Sequence, residues 1–438
     1  MSDALNKLGA FGERHRFPRP FGFAVTLFFF VGIVYLPVLF SSETFVLRDF
    51  SLFGYPLAHY VKQSLLAGEI PLWNPLNDCG LPFVAQWNTM VFYPPALLNL
   101  LLPLSWSVGL LAVLHLYLGG LGMYALALKW TRHTHGSALA GVSYAFSGIM
   151  QTSLMWPNNI AALGLLPWVL LTLNLAWGKG GRSILVAGAV GGLQMLSGAP
   201  EIVLFTWVLA GLILLVDLAQ QGFRREGIFR FACCVFLTAG LSAIQLVPFL
   251  DLFVNSPRAS GDVYMDWAIG RASWANFFIP LFENTGPQGS GVFYQVSQKW
   301  THSYYCGIAP WLLLICAVAG NRSWRVRLLV FLVPFAILLA MGNDGALYPL
   351  LNKVLPLGAM RFPVKFLMLV MVCLPLLASH AMRRLPVMRR SGGWVWSMMA
   401  AIGLFVIALS LSGGREMTEA ARSLAAGNAK GRLLMLII

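Results

Sequence analysis

Eleven apolar stretches, separated by polar turns and three longer polar segments, set the pattern of this chain. The first, Phe21–Phe40, runs for twenty residues without a charge. At a rise of about 1.5 Å per residue, that length crosses a hydrocarbon core of about 30 Å. Comparable stretches recur near 107–128, 137–155, 159–177, 183–199, 202–219, 231–250, 304–319, 326–341, 366–381 and 393–411. A segment in lipid must satisfy its own backbone N–H and C=O groups, which a helix does internally. The pattern therefore predicts an all-α polytopic membrane protein with about eleven transmembrane helices. No small-residue cleavage site follows the first stretch, so it reads as a retained span. Leu433–Ile438 is too short to cross; it reads as the opening of a twelfth span or an interfacial stub.

Charge orients the array. With the N-terminus inside, the inner segments hold 18 of the 30 Lys/Arg and only four of the 16 acids, Asp3, Glu13, Asp217 and Glu226. That bias follows the positive-inside rule. The organisation is then a cytoplasmic segment 1–20, a membrane domain 21–411, and an outer polar segment with an apolar end, 412–438. The longer loops, 41–104, 251–303 and 342–365, all fall outside, and any elaborate chemistry is expected there. In the first of them, Ser51–Ala67 sets Leu57, Tyr60, Val61 and Leu65 on one helical face, with His59, Lys62 and Gln63 opposite. This predicts a helix in the membrane interface, ended by Gly68 and Pro71. The following PLWNPLNDCGLPF is turn-rich, and Phe92–Leu104 predicts a second interfacial element. The aromatics of the second long loop, among them Trp267, Trp274, Phe277, Phe278, Phe282 and Trp300, suit an interfacial belt or a carbohydrate or isoprenoid surface.

Composition agrees: 58% hydrophobic, 11% charged, with a mean hydropathy of +0.73. The net charge of +14 is a topology signal whose partner is anionic lipid, not nucleic acid. Cys79 and Cys306 both fall on the outer side, where a disulfide is one option and two free thiols the other.

Asp49 is the first candidate for chemistry. A carboxylate just past a span can act as a general base or a metal ligand, and equally can pair with Arg48 or cap the interfacial helix. Arg361 and Lys365, in MRFPVKF, are cations at an outer span end, able to face a phosphate or to snorkel. Arg258, Arg271 and Lys299 are weaker candidates of the same kind. Glu201 suits a sugar hydroxyl, a metal, or simply the first turn of a helix. Asn74 and Asp78 are candidate binding groups or turn-formers, and Asn158 and Asn159 follow Trp156-Pro157 in a short outer loop. His133 and His135 lie on the inner side, and H-x-H alone is a poor metal signal. No Walker loop, dinucleotide glycine pattern, HExxH or GxSxG occurs.

Several segments in order resemble the YfhO-type bacterial membrane proteins, a branch of the GT-C glycosyltransferase superfamily. They are RDFSLFGYPLAHYVKQSLLAGEIPLWNPLNDCGLPF, FYPPALLNLLLP, LYLGGLGMYALAL, SYAFSGIM, YYCGIAPWLLL and LYPLLNKVLPLGAMRFPVKF, spread over roughly residues 45–370. The resemblance implies a GT-C-like bundle in the bacterial inner membrane. It implies transfer of a sugar from a polyprenyl-phosphate donor to an envelope glycan or lipid acceptor on the extracytoplasmic face, inverting, with a divalent metal as an option. By that likeness Asp49 is the acidic residue of the first outer loop, for acceptor activation or metal binding, and Arg361 and Lys365 bind the lipid phosphate. A transporter or envelope scaffold is the competing class. It calls for ionisable groups within spans or broken helices in paired halves, whereas polar residues here gather in outer loops.

Overall fold

The computed structural model describes residues 20–41, 43–46, 48–221, 225–256, 267–282, 297–318, 323–355 and 357–390, with residue 295 and isolated positions after 390. Segments 1–19 and 404–426, most of the stretch 393–411, and Arg258 lie outside the described residues, as does the side chain of Arg271. The described chain is mostly helical, and its strands form one two-stranded hairpin, Trp73–Asn74 with Leu81–Pro82.

Among the described residues, four helices are long and apolar enough to cross a membrane: Leu104–Thr131, Pro157–Lys179, Pro200–Gln220 and Pro363–Pro386. The last is the most enclosed, with 89% of its apolar window buried. Other predicted spans are shorter helices, Arg182–Leu196, Ile308–Val318 and Trp324–Ala340. Three are broken, each for a local reason. Phe21–Phe40 divides at Tyr35, because Pro37 lacks the N–H that a continuing helix needs. The 137–155 stretch stops at Phe146, and Ser147 caps a new helix, Gly148–Ser153. There the Gly148 N–H donates to the Tyr305 carbonyl at 2.7 Å, so a distant segment is wedged into the break. The third stretch bends by 83° between Arg225–Leu241 and Ala243–Val254, where Ser242 turns its hydroxyl back onto the Thr238 carbonyl. Gln245, just past the bend, donates to the Val84 carbonyl and braces the first loop.

The Leu104–Thr131 helix is central. Against it the Pro20–Val34 helix buries Phe23, Leu27 and Val31, leaving Phe28, Phe29 and Phe30 on the outside. Its closest neighbour is Pro157–Lys179. A Cβ at Gly164 would lie 2.4 Å from the His115 carbonyl oxygen, so only glycine allows this backbone approach.

In the first loop, the helix predicted over 51–67 is observed as one π-helical turn, Phe50–Gly54, continuing into Tyr55–Leu66. Leu57, Tyr60 and Val61 pack on Phe83, Val84 and Val91 as the stripe requires. The second-loop aromatics do not form a belt. Phe277, Phe278, Phe282 and Trp300 are buried in the main core, because the loop folds down onto the bundle instead of lying on lipid.

Candidate functional site

The first-loop helix roofs a cavity of about 320 Å³. Leu57, Ala58, Val61, Lys62 and Leu65 face it from one helical stripe, so Lys62 turns inward instead of sharing the solvent face with His59 and Gln63. Its ammonium donates to the Leu102 carbonyl at 2.9 Å. The opposite wall is Val108, Leu111, Ala112 and His115 of the central helix, and Trp156–Asn159 and Arg361 also line the space.

Asp49 lines this cavity. It stands at the N-cap position of the π-helical turn, yet its side chain caps nothing. Its Oδ2 accepts instead from the Trp156 indole, and the Trp156 ring stacks on Trp300 with centroids 6.2 Å apart. A π turn is rare and recurs at functional positions. Here it follows directly on Asp49, with Phe50 fully buried as its anchor. The neighbouring Arg48 has φ 47° and donates from Nη1 to the Lys299 carbonyl at 2.7 Å. Met90 and Arg361, both lining the cavity, also adopt left-handed backbone, with φ 55° and 66°. Such conformations in non-glycine residues cost about 1–2 kcal/mol each and concentrate where a site over-determines the chain.

The two sequence-predicted cations separate. Arg361 faces the cavity, its guanidinium 5.3 Å from the Phe362 ring centroid. Lys365 does not line it. Lys365 is 8% exposed and its ammonium lies 2.6 Å from Glu201 Oε1. Glu201 and Lys365 thus tie the start of the Pro200–Gln221 helix to the Pro363–Phe366 turn that follows Arg361. Trp267 stacks on Phe362 at 4.4 Å and completes the clamp.

Asn158 and Asn159 line the cavity; Asn158 Nδ2 also donates to the Gly198 carbonyl at 2.8 Å. Gly198 has φ 87°, and a Cβ there would meet the Trp87 carbonyl oxygen at 2.1 Å, so the loop after Arg182–Leu196 can close on the first loop only with glycine. Asn74 and Asp78 lie in the hairpin, away from the cavity lining. Asn74 Oδ1 accepts from the Leu76 N–H at 2.9 Å and Asp78 has φ 47°, both turn roles. Cys79 is exposed, Cys306 is buried, and both are free thiols.

Among the lining residues that escaped the sequence reading are Trp156, Tyr93, Asn99 and His115. His115 Nδ1 lies 2.6 Å from the Leu111 carbonyl, which only accepts, so Nδ1 carries the proton and the Tyr93 hydroxyl donates to Nε2 at 2.5 Å. A lone imidazole in LAVLHLYLGG was the available signal.

The donor set does not suit a metal held by protein alone. Among the described residues no group of three or more His, Cys, Asp or Glu comes together, and Asp49 brings a single carboxylate. A second cavity, of about 610 Å³, is lined by Phe45, Phe50, Phe146, Met155 and Tyr305 among others. Comparison with models of known protein families and with curated protein sequences finds no match to this chain.

Proposed function

We propose that this chain is a membrane glycosyltransferase of GT-C type, as its resemblance to the YfhO-type proteins implies. It moves a sugar from a polyprenyl-phosphate donor to a glycan or lipid acceptor at the extracytoplasmic face of the bacterial inner membrane, its N-terminus in the cytoplasm. The observation that carries this reading is that one cavity is lined by a carboxylate, Asp49, and by a guanidinium, Arg361, more than 300 residues away in sequence.

The chemistry asks for little more. Asp49 takes the proton of an acceptor hydroxyl as its oxygen attacks the anomeric carbon. The bond from that carbon to the phosphate oxygen breaks, its electron pair leaves with the polyprenyl phosphate, and the configuration inverts. Arg361 stabilises the charge gathering on the departing phosphate. Trp156 orients the carboxylate, and Lys365 with Glu201 holds the segment that presents Arg361. The second, aromatic-lined cavity offers room for hydrocarbon.

Asp49→Asn, inserted and expressed as wild type, is expected to abolish transfer. Mass spectrometry of envelope glycans and glycolipids in a deletion strain complemented with either form reads this out. Full restoration by Asp49→Asn would remove the assigned base and favour the transporter or scaffold class.

A further inference from the structure

Asn158 and Asn159 open the Pro157–Lys179 helix within one turn of Trp156, whose indole holds the Asp49 carboxylate. Both asparagines line the cavity, and both are half-buried. Their amides form a short chain whose polarity is fixed from one end. The Gly198 carbonyl can only accept, so the Asn158 atom 2.8 Å from it is Nδ2. The same Nδ2 donates to the other amide, so the Asn159 atom it meets at 3.3 Å is Oδ1. Two atoms are left over, Asn158 Oδ1 as an acceptor and Asn159 Nδ2 as a donor. Among the described residues neither has a hydrogen-bond partner, and both keep accessible surface.

That pair selects its ligand by chemistry. An anion brings acceptors only and would meet the Asn158 oxygen. A metal cation needs acceptors only and would meet the Asn159 amide hydrogens. An apolar group would leave both atoms without a partner. A neutral group with donor and acceptor side by side satisfies both. Adjacent hydroxyls on a sugar ring carry that combination. Trp156 and Pro157, immediately before the two amides, add apolar surface for the C–H face of such a ring.

We infer that Asn158 and Asn159 hold two adjacent hydroxyls of an uncharged sugar ring, Asn158 accepting from one and Asn159 donating to the other. This rests on the glycosyl-transfer reading and deepens it. The ring is recognised within one helical turn of the tryptophan that holds Asp49, and the phosphate is left to Arg361. The two amides act on recognition and not on the bond that breaks, so they set which sugar is held.

The test is a binding measurement on the full chain in phospholipid nanodiscs. Methyl glucoside, methyl galactoside and methyl mannoside are titrated by saturation-transfer NMR, with empty nanodiscs as the control. At least one is expected to saturate. Monodeoxy analogues of that glycoside then remove its ring hydroxyls one at a time. Two adjacent deletions are expected to weaken binding about fivefold each, the worth of one hydrogen bond, and the others much less. Asn159→Ala is expected to weaken the parent glycoside by a similar factor and to become indifferent to one deletion of that pair. A purely structural role would not produce this coupling. Absence of saturable binding for all three glycosides would overturn the subsite. So would wild-type affinity in Asn159→Ala, or an equal loss for every deletion in both proteins. Should Asn159→Ala fail to fold, Asn159→Asp decides in the same way, because it keeps the oxygen facing Asn158 and removes the donor. Glycoside binding requires no transfer chemistry, and Asp49→Asn is expected to retain it. Failure of the subsite is therefore read separately from failure of the assigned base.

Discussion

Asp49 and Asp217 sit on different helices of the same bundle, and each accepts a hydrogen bond from a tryptophan indole, Trp156 in one case and Trp177 in the other. At Asp217 that bond is one of several. Arg325 grips both carboxylate oxygens through Nε and Nη2, Asn174 approaches at 3.4 Å, and the guanidinium rests 5.1 Å from the Trp130 ring. Four helices are joined through these groups, and the acid is 5% exposed. Asp49 has the indole alone among the described residues and borders an open cavity. Burial and an indole partner are therefore shared features. Spare lone pairs beside empty volume distinguish an acid able to meet a ligand from one that holds helices together.

The contrast can be broken most forcefully at its closed end. Arg325→Ala leaves a buried carboxylate uncompensated and is expected to lower stability by about 3–5 kcal/mol. Thermal unfolding in detergent measures this, and combining Arg325→Met with Asp217→Leu should recover most of the loss. A wild-type melting curve for the single variant would erase the distinction between the two acids.

Glu201→Gln should have a smaller effect, about 1–3 kcal/mol, because it strands the mostly buried Lys365 ammonium. Adding Lys365→Met should restore the melting temperature; if it does not, the pair is not the clamp described above.

Trp156→Phe sharpens the open end of the comparison. The ring stack on Trp300 is retained while the donor to Asp49 is lost. Transfer activity is expected to fall about tenfold, with stability lowered by only about 1 kcal/mol. Equal activity would show that the indole does not orient the carboxylate.

The smallest effect concerns His133, whose Nδ1 accepts from the Gly136 N–H at 2.9 Å as a helix cap. Burial first, then the charges of His135 and Arg383, depress its pKa below 6.5. The unfolded chain therefore takes up the proton first, so this contribution to stability is present above pH 6.5 and is lost as pH falls below it. Melting temperatures at pH 7.5 and 5.5 should differ less in His133→Asn, whose amide oxygen can cap without titrating.

Much of the candidate site was legible in the order of residues. The stripe of Leu57, Val61 and Leu65 announced the first-loop helix, and an isolated carboxylate and an outer-side arginine drew attention to Asp49 and Arg361. What could not be read depended on distant partners. Lys365 had the same appearance as Arg361 until Glu201 arrived from a helix 164 residues away. The break at Ser147 comes with the docking of residues 303–305, and no periodicity encodes that. Trp156 stands in the sequence only as the residue before Pro157, with nothing to join it to Asp49. His115 was readable as the one imidazole in its stretch, but a satisfied core histidine leaves the same trace.

Because Gly164 lets one main chain rest directly against the His115 carbonyl, the spacing of the two helices there is set by their backbones and not by rotatable groups. That spacing is a fixed ruler. Attempts to retune which molecules fit should begin at the roof, with residues such as Leu57 and Leu97. A larger residue at 164 would displace the measuring stick itself.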